Sequence, residues 1–378
     1  MSVIIKSDKI ATASLGNING IKGAKDWSIF LDFENEVYST KSNDVIKKDY
    51  LLSDVVEASR QNLNGAPISI NKSGIERAIT STTEVRTALL KNGRFGLLSE
   101  DENDNFFLNS SAPATQTVTL PAAASRIAVS CEGAGSLTVN GDISEKGTIV
   151  TKDKPYLFTR TSTSAACNLN ITVNGSLTHA QVEVAVGEHT ASSKIKTGGA
   201  IVKRPREYVK VKQSLFDSII ANKNGFTILA QTLAYNPTIN SANSYASQLV
   251  LEGGTAFKLM KQCGLSNQQY MGYLKNFIDS TATNNSAVFK GTFSAENRFH
   301  AHTFALAFGE GKALGAYSGM SEAQLVVSDP LNITNIMFGT GYASPIGQNG
   351  LRGIITKLVV YDRVLSQEEI TELSKSWG

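Results

Sequence analysis

The chain has 378 residues, 41% hydrophobic and 18% charged, so it is long enough to form two or three domains with their own cores. Its 36 Lys and Arg against 33 Asp and Glu give a formal net charge of +3, which offers no electrostatic reason to expect a nucleic-acid partner. The three cysteines, Cys131, Cys167 and Cys263, lack metal-ligand spacing and are expected to be buried free thiols.

No stretch of the sequence approaches the length of a membrane span, so no membrane-spanning segment is predicted. The first ten residues, MSVIIKSDKI, lack the long apolar segment of a signal peptide. We therefore expect the chain to be made and kept in a cytosol.

Residues 1–105 alternate short apolar segments with polar ones and are predicted to form an N-terminal region of mixed structure. Trp27–Phe33 has the composition of a strand, whereas residues 44–60 and 74–90 favour helix or loosely ordered connection. The acidic segment Glu100–Asp104 resembles a calcium loop only loosely, because Phe106 stands where such a loop needs glycine.

Residues 106–190 are predicted to form an antiparallel β-sandwich, because alternating segments recur about every ten residues between turn residues. These segments are TVTL, RIAVS, SLTVN, GTIV, YLFT, LNITV and HAQVEVAV. Residues 191–212 are predicted to be a basic linker or connecting strand. Its basic residues favour a solvated or interface segment over an anion-binding site; they are Lys203, Arg204, Arg206, Lys210 and Lys212.

Residues 213–378 are predicted to form a second antiparallel sandwich. Gly225–Tyr235 fits a first long strand, and Arg298–Gly319 fits a strand, a hairpin and a returning strand. In the first of these two strands, positions 300, 302, 304, 306 and 308 share one face, while the alanines and Thr303 share the other.

The end of the chain predicts a buried strand followed by a short helix. Ile354–Tyr361 is rich in β-branched residues, and Ser366 with Glu369 forms a capping box. The apolar positions Ile370, Leu373 and Trp377 fall on one stripe that can pack on the sheet. The glycine-led strand and the segment YDRVLSQEEI resemble the ending of the laminin-G-like, or concanavalin A-like, lectin and glucanase sandwich.

A second resemblance is carried by GRFGLLSEDENDNFFLNSSAP at Gly93–Pro113 and by the segment that runs from Gly175 to Val209. Both are similar to blocks that open and close a carbohydrate-binding-like sandwich in tailed-phage structural proteins. The match is incomplete, since Lys203, Arg204 and Pro205 stand where that family has Thr-Arg-Ala. The resemblance implies a virion component, assembled in the host cytoplasm together with other virion proteins.

The residues that carry chemistry favour binding over catalysis. No apolar strand has two carboxylates at the spacing that the glycoside hydrolases of this fold use, and no phosphate-binding glycine loop is present, so no enzyme activity and no cofactor are predicted. His300 and His302 share a face with large apolar residues, which favours interior histidines over a metal site.

Sugars are held by aromatic rings and by amide side chains on the loops of a sandwich rim. The predicted ligand-binding residues of this kind are Tyr235, Asn236, Asn243, Tyr245, Tyr342, Gln348 and Asn349. Another polar aromatic group contains Gln268, Gln269, Tyr270 and Tyr273, whose spacing could equally be that of a helix face.

These inferences predict a mainly β protein: two antiparallel sandwiches of jelly-roll and concanavalin A-like type in tandem after an N-terminal attachment region. The expected function is that of a tail fibre or receptor-binding protein that recognises a host cell-surface polysaccharide, as a homo-oligomer, most simply a trimer. A decoration protein without host binding and a glycan depolymerase are the alternatives.

Overall fold

The computed structural model describes residues 27–42, 45–47, 49–90, 92–100, 102–122, 126–185, 192–220, 225–234, 244–253, 256–263, 269–275, 286–292, 302–309, 312–317, 320–326, 333–338 and 353–376. The strands before the middle sandwich are β1 (Ile29–Asp32), β2 (Val37–Ser42), β3 (Val45–Lys47), β4 (Val56–Ser59), β5 (Ile68–Ile70), β6 (Glu76–Ala78), β7 (Arg86–Leu89), β8 (Phe95–Leu98) and β9 (Asn103–Asn105). The strands of the middle sandwich are β10 (Gln116–Leu120), β11 (Arg126–Gly133), β12 (Ser136–Gly141), β13 (Thr148–Val150), β14 (Tyr156–Thr159), β15 (Cys167–Asn174) and β16 (Leu177–Ala185).

The later strands are β17 (Val202–Arg204), β18 (Tyr208–Val211), β19 (Gly225–Ala234), β20 (Ser244–Gly253), β21 (Ala256–Cys263), β22 (Gln269–Lys275), β23 (Ser286–Thr292), β24 (His302–Gly309), β25 (Lys312–Tyr317), β26 (Met320–Val326), β27 (Ile333–Phe338) and β28 (Gly353–Tyr361). The helices of the described ranges are α1 (Leu52–Val55), α2 (Gln213–Ile219) and α3 (Gln367–Ser376). The chain is therefore mainly β, and its strand pairs are antiparallel, as predicted.

The middle sandwich consists of a four-stranded sheet in the order β10-β15-β12-β13 and a three-stranded sheet in the order β14-β11-β16. Each predicted segment of this region forms one of these strands. The inward side chains of the two sheets, among them Leu137, Leu169, Val129 and Phe158, form one buried cluster. Alternation of apolar and polar residues thus predicted this unit correctly, because each sheet buries only one face of each strand in the core.

The large sandwich consists of a ten-stranded sheet and a seven-stranded sheet. The main path of the first is β26-β25-β24-β19-β28-β1-β2-β3, with β8 on β28 and β7 on β8, and the order of the second is β23-β22-β21-β20-β27-β18-β4. Apolar residues of both sheets, such as Ile228 and Phe304 on one and Val209 and Phe338 on the other, share a buried cluster. The fold class is therefore that of two antiparallel sandwiches.

Strands from residues 1–105 and from the C-terminal part of the chain belong to the same sheets, so these sheets do not follow the predicted domain boundaries at residues 105 and 213. Strand β1 pairs with β28, with Phe30 opposite Val359, and β4 pairs with β18, with Ala58 opposite Val209. The described part of the N-terminal region thus supplies strands to the large sandwich, and in the chain the middle sandwich lies between two sets of these strands. Such pairing depends on partners about 150 to 330 residues away and leaves no periodic signal in the local sequence.

The predicted closing strand is confirmed as β28, which lies between β19 and β1 in the ten-stranded sheet. Its alternate side chains enter different cores: Leu358 and Val360 pack in the core between the two sheets, whereas Val359 packs on the opposite face, where Ile370 of α3 covers the sheet. The same division holds for β24, since Phe304, Leu306 and Phe308 lie in the first core and Ala305 and Ala307 in the second.

The predicted capping box is also confirmed. The Glu369 backbone N–H donates to Ser366 Oγ at 3.2 Å, and the Ser366 N–H donates to Glu369 Oε2 at 2.8 Å. Together these bonds satisfy two amide groups at the start of α3. Leu373 is fully buried like Ile370, as the predicted stripe requires, while Trp377 lies outside the described residues.

Short strands occur where the sequence left helix open as one interpretation. Residues 44–60 and 74–90 contain the short strands β3, β4, β6 and β7 rather than extended helix, and α1 has only four residues. Their strands have three or four residues, too few for alternation to be distinguished from a helical pattern. Gln269, Tyr270 and Tyr273 lie in strand β22 and not on a helix.

The two described thiols, Cys131 and Cys167, are buried and lie in no disulfide, while the side chain of Cys263 in β21 is not described. None of the helices in the described ranges is long and apolar enough to cross a membrane.

Candidate functional site

The sequence-predicted ligand-binding residues fall almost entirely outside the described residues. These are Tyr235, Asn236, Asn243, Tyr342, Gln348 and Asn349. Tyr245 lies in β20 with its backbone opposite Gln262 of β21, but its side chain is not described. His300 is outside as well, and His302 begins β24. This rim site and the interpretation of the histidine pair therefore stay predictions.

The described residues instead contain a buried ionic cluster at the base of the middle sandwich. We call it the clamp and define it as Arg60, Arg86, Glu100, Ser193, Arg204 and Glu207. Arg86 lies at its centre, with Nη2 2.7 Å from Glu100 Oε2 and Nε 2.6 Å from Glu207 Oε1. Arg60 Nε lies 2.6 Å from the same Glu207 oxygen, and Arg204 Nη1 lies 3.1 Å from Glu100 Oε2. Three guanidinium groups thus surround two carboxylates in the interior, and each carboxylate contacts two of them.

Ser193 links the clamp to the segment that leaves the middle sandwich. Its backbone N–H donates to Glu100 Oε1 at 2.9 Å, and its hydroxyl donates to Glu100 Oε2. Its hydroxyl oxygen also accepts hydrogen bonds from Arg86 Nη1 at 3.0 Å and from Arg204 Nη1 at 2.9 Å. One serine thus contacts both guanidinium groups and the carboxylate between them.

The electrostatics of the clamp hold Glu100 in its charged form. Burial acts to raise the pKa of Glu100, but the charges of Arg204 and Arg86 and the hydrogen bonds from Ser193 outweigh it and lower the pKa to about 2. Burial likewise acts to lower the pKa of Arg86, and the carboxylates of Glu207 and Glu100 reverse that effect and raise it. A carboxylate in this state accepts hydrogen bonds and does not supply a proton near neutral pH.

A second layer of buried polar groups connects the clamp to strand β16. His179, Gln181 and Glu183 alternate along this strand and share its outer face, away from the sandwich core. Gln181 Oε1 accepts from the backbone N–H of Ile195 at 2.8 Å, and Glu183 Oε2 accepts from that of Ser192 at 2.8 Å. Burial lowers the pKa of His179, so its imidazole is neutral at physiological pH.

The strands that enter and leave the middle sandwich are joined beside this layer. Strand β9 pairs with β17, with Asn105 opposite Val202 and Asn103 opposite Arg204. The Asn105 side chain donates to the carbonyl oxygen of Ile195 at 2.8 Å and accepts from the Val182 N–H at 3.0 Å. The chain therefore enters and leaves the sandwich at one fixed place, over its three-stranded sheet.

These contacts correct the interpretation of two sequence features. The basic residues of 191–212 are not uniformly solvated, because Arg204 is fully buried and paired with Glu100. The acidic segment is divided as well: Glu100 lies in the clamp, while Glu102 and Asp104 lie 3.9 and 3.8 Å from the exposed amine of Lys203. No group of three or more His, Cys, Asp and Glu side chains suited to a metal ion is found within the described ranges.

The side of the middle sandwich opposite the clamp is the outer surface of its four-stranded sheet. The outward side chains of its four-stranded sheet are uncharged and mostly amides and hydroxyls, and we call this surface the Asn/Thr face. It consists of Thr117, Thr119, Ser136, Thr138, Asn140, Ile149, Asn168, Asn170, Thr172 and Asn174. Since the core and the three-stranded sheet separate it from the clamp, this face points away from the rest of the described chain.

Sequence reasoning missed this face although its signal is visible. In β15, every second residue is an exposed Asn or Thr, and the residues between them, such as Leu169 and Ile171, are buried. The search for binding residues looked for aromatic rings on loops and therefore passed over amides on a strand. The clamp had no comparable signal, because Glu207 is 121 residues from Arg86 and 147 from Arg60.

Comparison with known proteins gives matches to solved structures at low similarity. No protein-family model matches the chain, and no curated protein matches it. Among solved structures, the carbohydrate-binding domain CBM40 of the Ruminococcus gnavus IT-sialidase, bound to α2,3-sialyllactose, has 18% identity and a TM-score of 0.30 over 40% of this chain and 83% of that one. The binding domain of botulinum neurotoxin DC, in complex with rat synaptotagmin II, has 12% identity and a TM-score of 0.31 over 46% and 40%.

A Trypanosoma rangeli sialidase has 17% identity and a TM-score of 0.28 over 40% of this chain and 23% of its own. At these values the similarity supports no inference about a ligand or an activity.

Proposed function

We propose that the protein is a non-enzymatic structural component of a tailed-phage virion, a tail fibre or receptor-binding protein, that binds a bacterial surface glycan through its sandwich domains. It assembles with other virion proteins in the host cytoplasm and acts as a homotrimer. The sequence resemblance to tailed-phage structural proteins and the mainly β architecture support this proposal.

The observation that carries the proposal is that the two segments with the phage-like resemblance meet at the clamp. Glu100 belongs to the first segment, Gly93–Pro113, and it contacts Ser193 and Arg204 of the second. Ser110 of the first segment likewise accepts a hydrogen bond from the Thr197 N–H of the second at 2.8 Å. Segments that are about 90 residues apart in sequence thus form one buried attachment at the base of the sandwich between them.

A buried attachment of this kind suits a protein that displays a binding surface. Buried ion pairs with many hydrogen bonds fix orientation, because each charged group has to keep its partners. A module fixed at one side and exposed at the other presents the same surface in every copy of an oligomer. Weak glycan contacts then act together, and avidity replaces the affinity of a single site.

The carboxylates of the clamp argue against a depolymerase at this location. A glycosidase needs one carboxyl group with a raised pKa as its general acid. The pKa of Glu100 is lowered instead, and Glu207 is held by Arg60 and Arg86. These groups are therefore structural.

The test uses the purified full chain, bacteria to which a particle carrying the protein adsorbs, and the surface polysaccharide of those bacteria. We expect the chain to bind the cells, the polysaccharide to compete, and no reducing ends to be released. Absence of cell binding together with protection of the particle would favour the decoration alternative, and release of reducing ends would favour a depolymerase. Sedimentation of the chain tests the trimer.

A further inference from the structure

We propose that the Asn/Thr face of the middle sandwich binds an extended, uncharged polysaccharide. This inference rests on the proposed function and adds to it a location and a class of ligand. The location differs from the rim loops that the sequence predicted in the C-terminal sandwich.

The first support is the composition of the face. Ten outward positions on four adjacent strands carry five threonine and serine hydroxyls, four asparagine amides and one isoleucine. Outward positions of a solvated sheet commonly carry Lys and Glu, and surfaces as a whole are about a quarter to a third charged. A surface without charge and with many donors and acceptors matches a ligand that has hydroxyl groups and no charge.

The second support is the regular arrangement of the amides. The strand register aligns Thr117, Asn170 and Asn140 in one row across β10, β15 and β12. Thr119 faces Asn168 in the next row. Rows of this kind repeat at about 4.8 Å between strands and about 7 Å along them. The face thus offers similar groups repeatedly, as a polymer of similar sugar units requires.

The third support is the orientation of two amide groups. Thr117 Oγ1 donates to Asn170 Oδ1 at 3.0 Å, and Thr119 Oγ1 donates to Asn168 Oδ1 at 2.8 Å. The amide oxygens of both asparagines are thus engaged, and within the described part of the chain their NH₂ groups have no hydrogen-bond acceptor. Fixed donors on an exposed surface lose little conformational entropy when a sugar hydroxyl accepts from them.

The apolar part of the Asn/Thr face is small and lies at the edge of these rows. Ile149 is 55% exposed and lies opposite Thr138, which lies opposite Thr172. The methyl groups of these threonines and the isoleucine side chain form an apolar strip beside the amides. Such a strip can cover the C–H face of a sugar ring.

Two other occupants fit the face less well. A protein interface is enriched in aromatic residues, Met and Arg at its centre, whereas this face has a single large apolar residue, Ile149. An anionic glycan or a nucleic acid is bound by Arg and Lys, and neither occurs at the outward positions of these four strands.

The experiment compares the full chain with a double variant, Asn168→Asp and Asn170→Asp. Both substitutions keep the side-chain shape and replace the NH₂ donors by carboxylate oxygens. Asn64→Asp is the matched control, because Asn64 is exposed and lies outside the middle sandwich. Circular dichroism and sedimentation confirm that each variant is folded and show its oligomeric state. The probe is an array of purified bacterial polysaccharides, neutral and acidic ones side by side, read at low and high salt.

We expect the chain to bind at least one neutral polysaccharide with little dependence on salt. We also expect the double variant to bind it about 30-fold more weakly, as loss of two hydrogen bonds of about 1 kcal/mol each would give. The control should bind like the unmodified chain.

The inference is overturned if the chain binds only acidic polysaccharides, if the double variant binds as the control does, or if that variant changes the oligomeric state. If the double variant binds as the control does, the chain still binds a glycan and only the proposed location is wrong. If the chain binds no polysaccharide on the array and no cells, the proposed function itself fails.

Discussion

Replacing Glu100 by Gln tests the clamp most directly, because the substitution removes one charge and keeps the side-chain volume. Arg86 Nη2 lies 2.7 Å and Arg204 Nη1 3.1 Å from the same carboxylate oxygen, and all three side chains are buried. Removal of one partner from a buried ion pair leaves the other charge uncompensated, which costs about 3–5 kcal/mol. We therefore expect the Glu100→Gln variant to lose stability of this order.

Hydrogen exchange followed by mass spectrometry measures this loss where it occurs. The Ser193 N–H donates to Glu100 Oε1, and the Glu207 N–H donates to the Glu100 carbonyl oxygen at 3.1 Å. If the segments around these amides open about 3 kcal/mol more easily, their exchange becomes about 100-fold faster. Peptides from the cores of the two sandwiches should change less.

The matched control is Glu102→Gln, two residues away. Glu102 is half exposed and lies 3.9 Å from Lys203 Nζ, so its pair contributes little to stability. The reasoning about the clamp is refuted if exchange at Ser193 and Glu207 is no faster in Glu100→Gln than in Glu102→Gln.

Further predictions concern acid, packing and the last helix. Because the pKa of Glu100 is lowered from 4.5 to about 2, its contribution of about 3 kcal/mol is present above pH 4.5 and lost as the pH falls towards 2. Acid titration of urea unfolding should therefore show the unmodified chain and Glu100→Gln converging near pH 2. Gly96→Ala should cost about 1–3 kcal/mol in urea unfolding, since a Cβ there meets the Ile355 carbonyl oxygen, whereas Gly198→Ala, in open space, should not. Ser366→Ala should cost about 1 kcal/mol, measured as faster exchange in α3.

The parts of the fold that the sequence predicted are those with a local cause. Alternation along β15 places apolar side chains on a buried face, and the pair Ser366 and Glu369 marks the start of α3 within four residues. Each of these signals acts over neighbouring residues, so the sequence alone carries it.

The parts that the sequence did not predict depend on distant partners. Strand β1 is part of the large sandwich because Leu31 lies opposite Leu358, and Arg86 is buried because Glu100 and Glu207 compensate its charge. An unpaired arginine is normally exposed, and the residues next to Arg86 in the sequence do not indicate its two partners. Pairing of this kind follows from the assembled sheets and has no periodic signature.

The Asn/Thr face has one feature with a local sequence signal and one that depends on a distant partner. Asn168 and Asn170 alternate with buried residues, so a strand with an amide face was visible in the sequence. The orientation of these amides by Thr117 and Thr119 was not, because it requires the register between β10 and β15.

The central claim is that the chain binds a glycan on the surface of a host bacterium. The most direct measurement is the binding of the labelled full chain to bacteria to which its particle adsorbs, with and without their purified surface polysaccharide. We predict saturable binding that the polysaccharide abolishes and that releases no reducing ends. Cells that bind the particle but not the chain, or binding that the polysaccharide leaves unchanged, would contradict the claim.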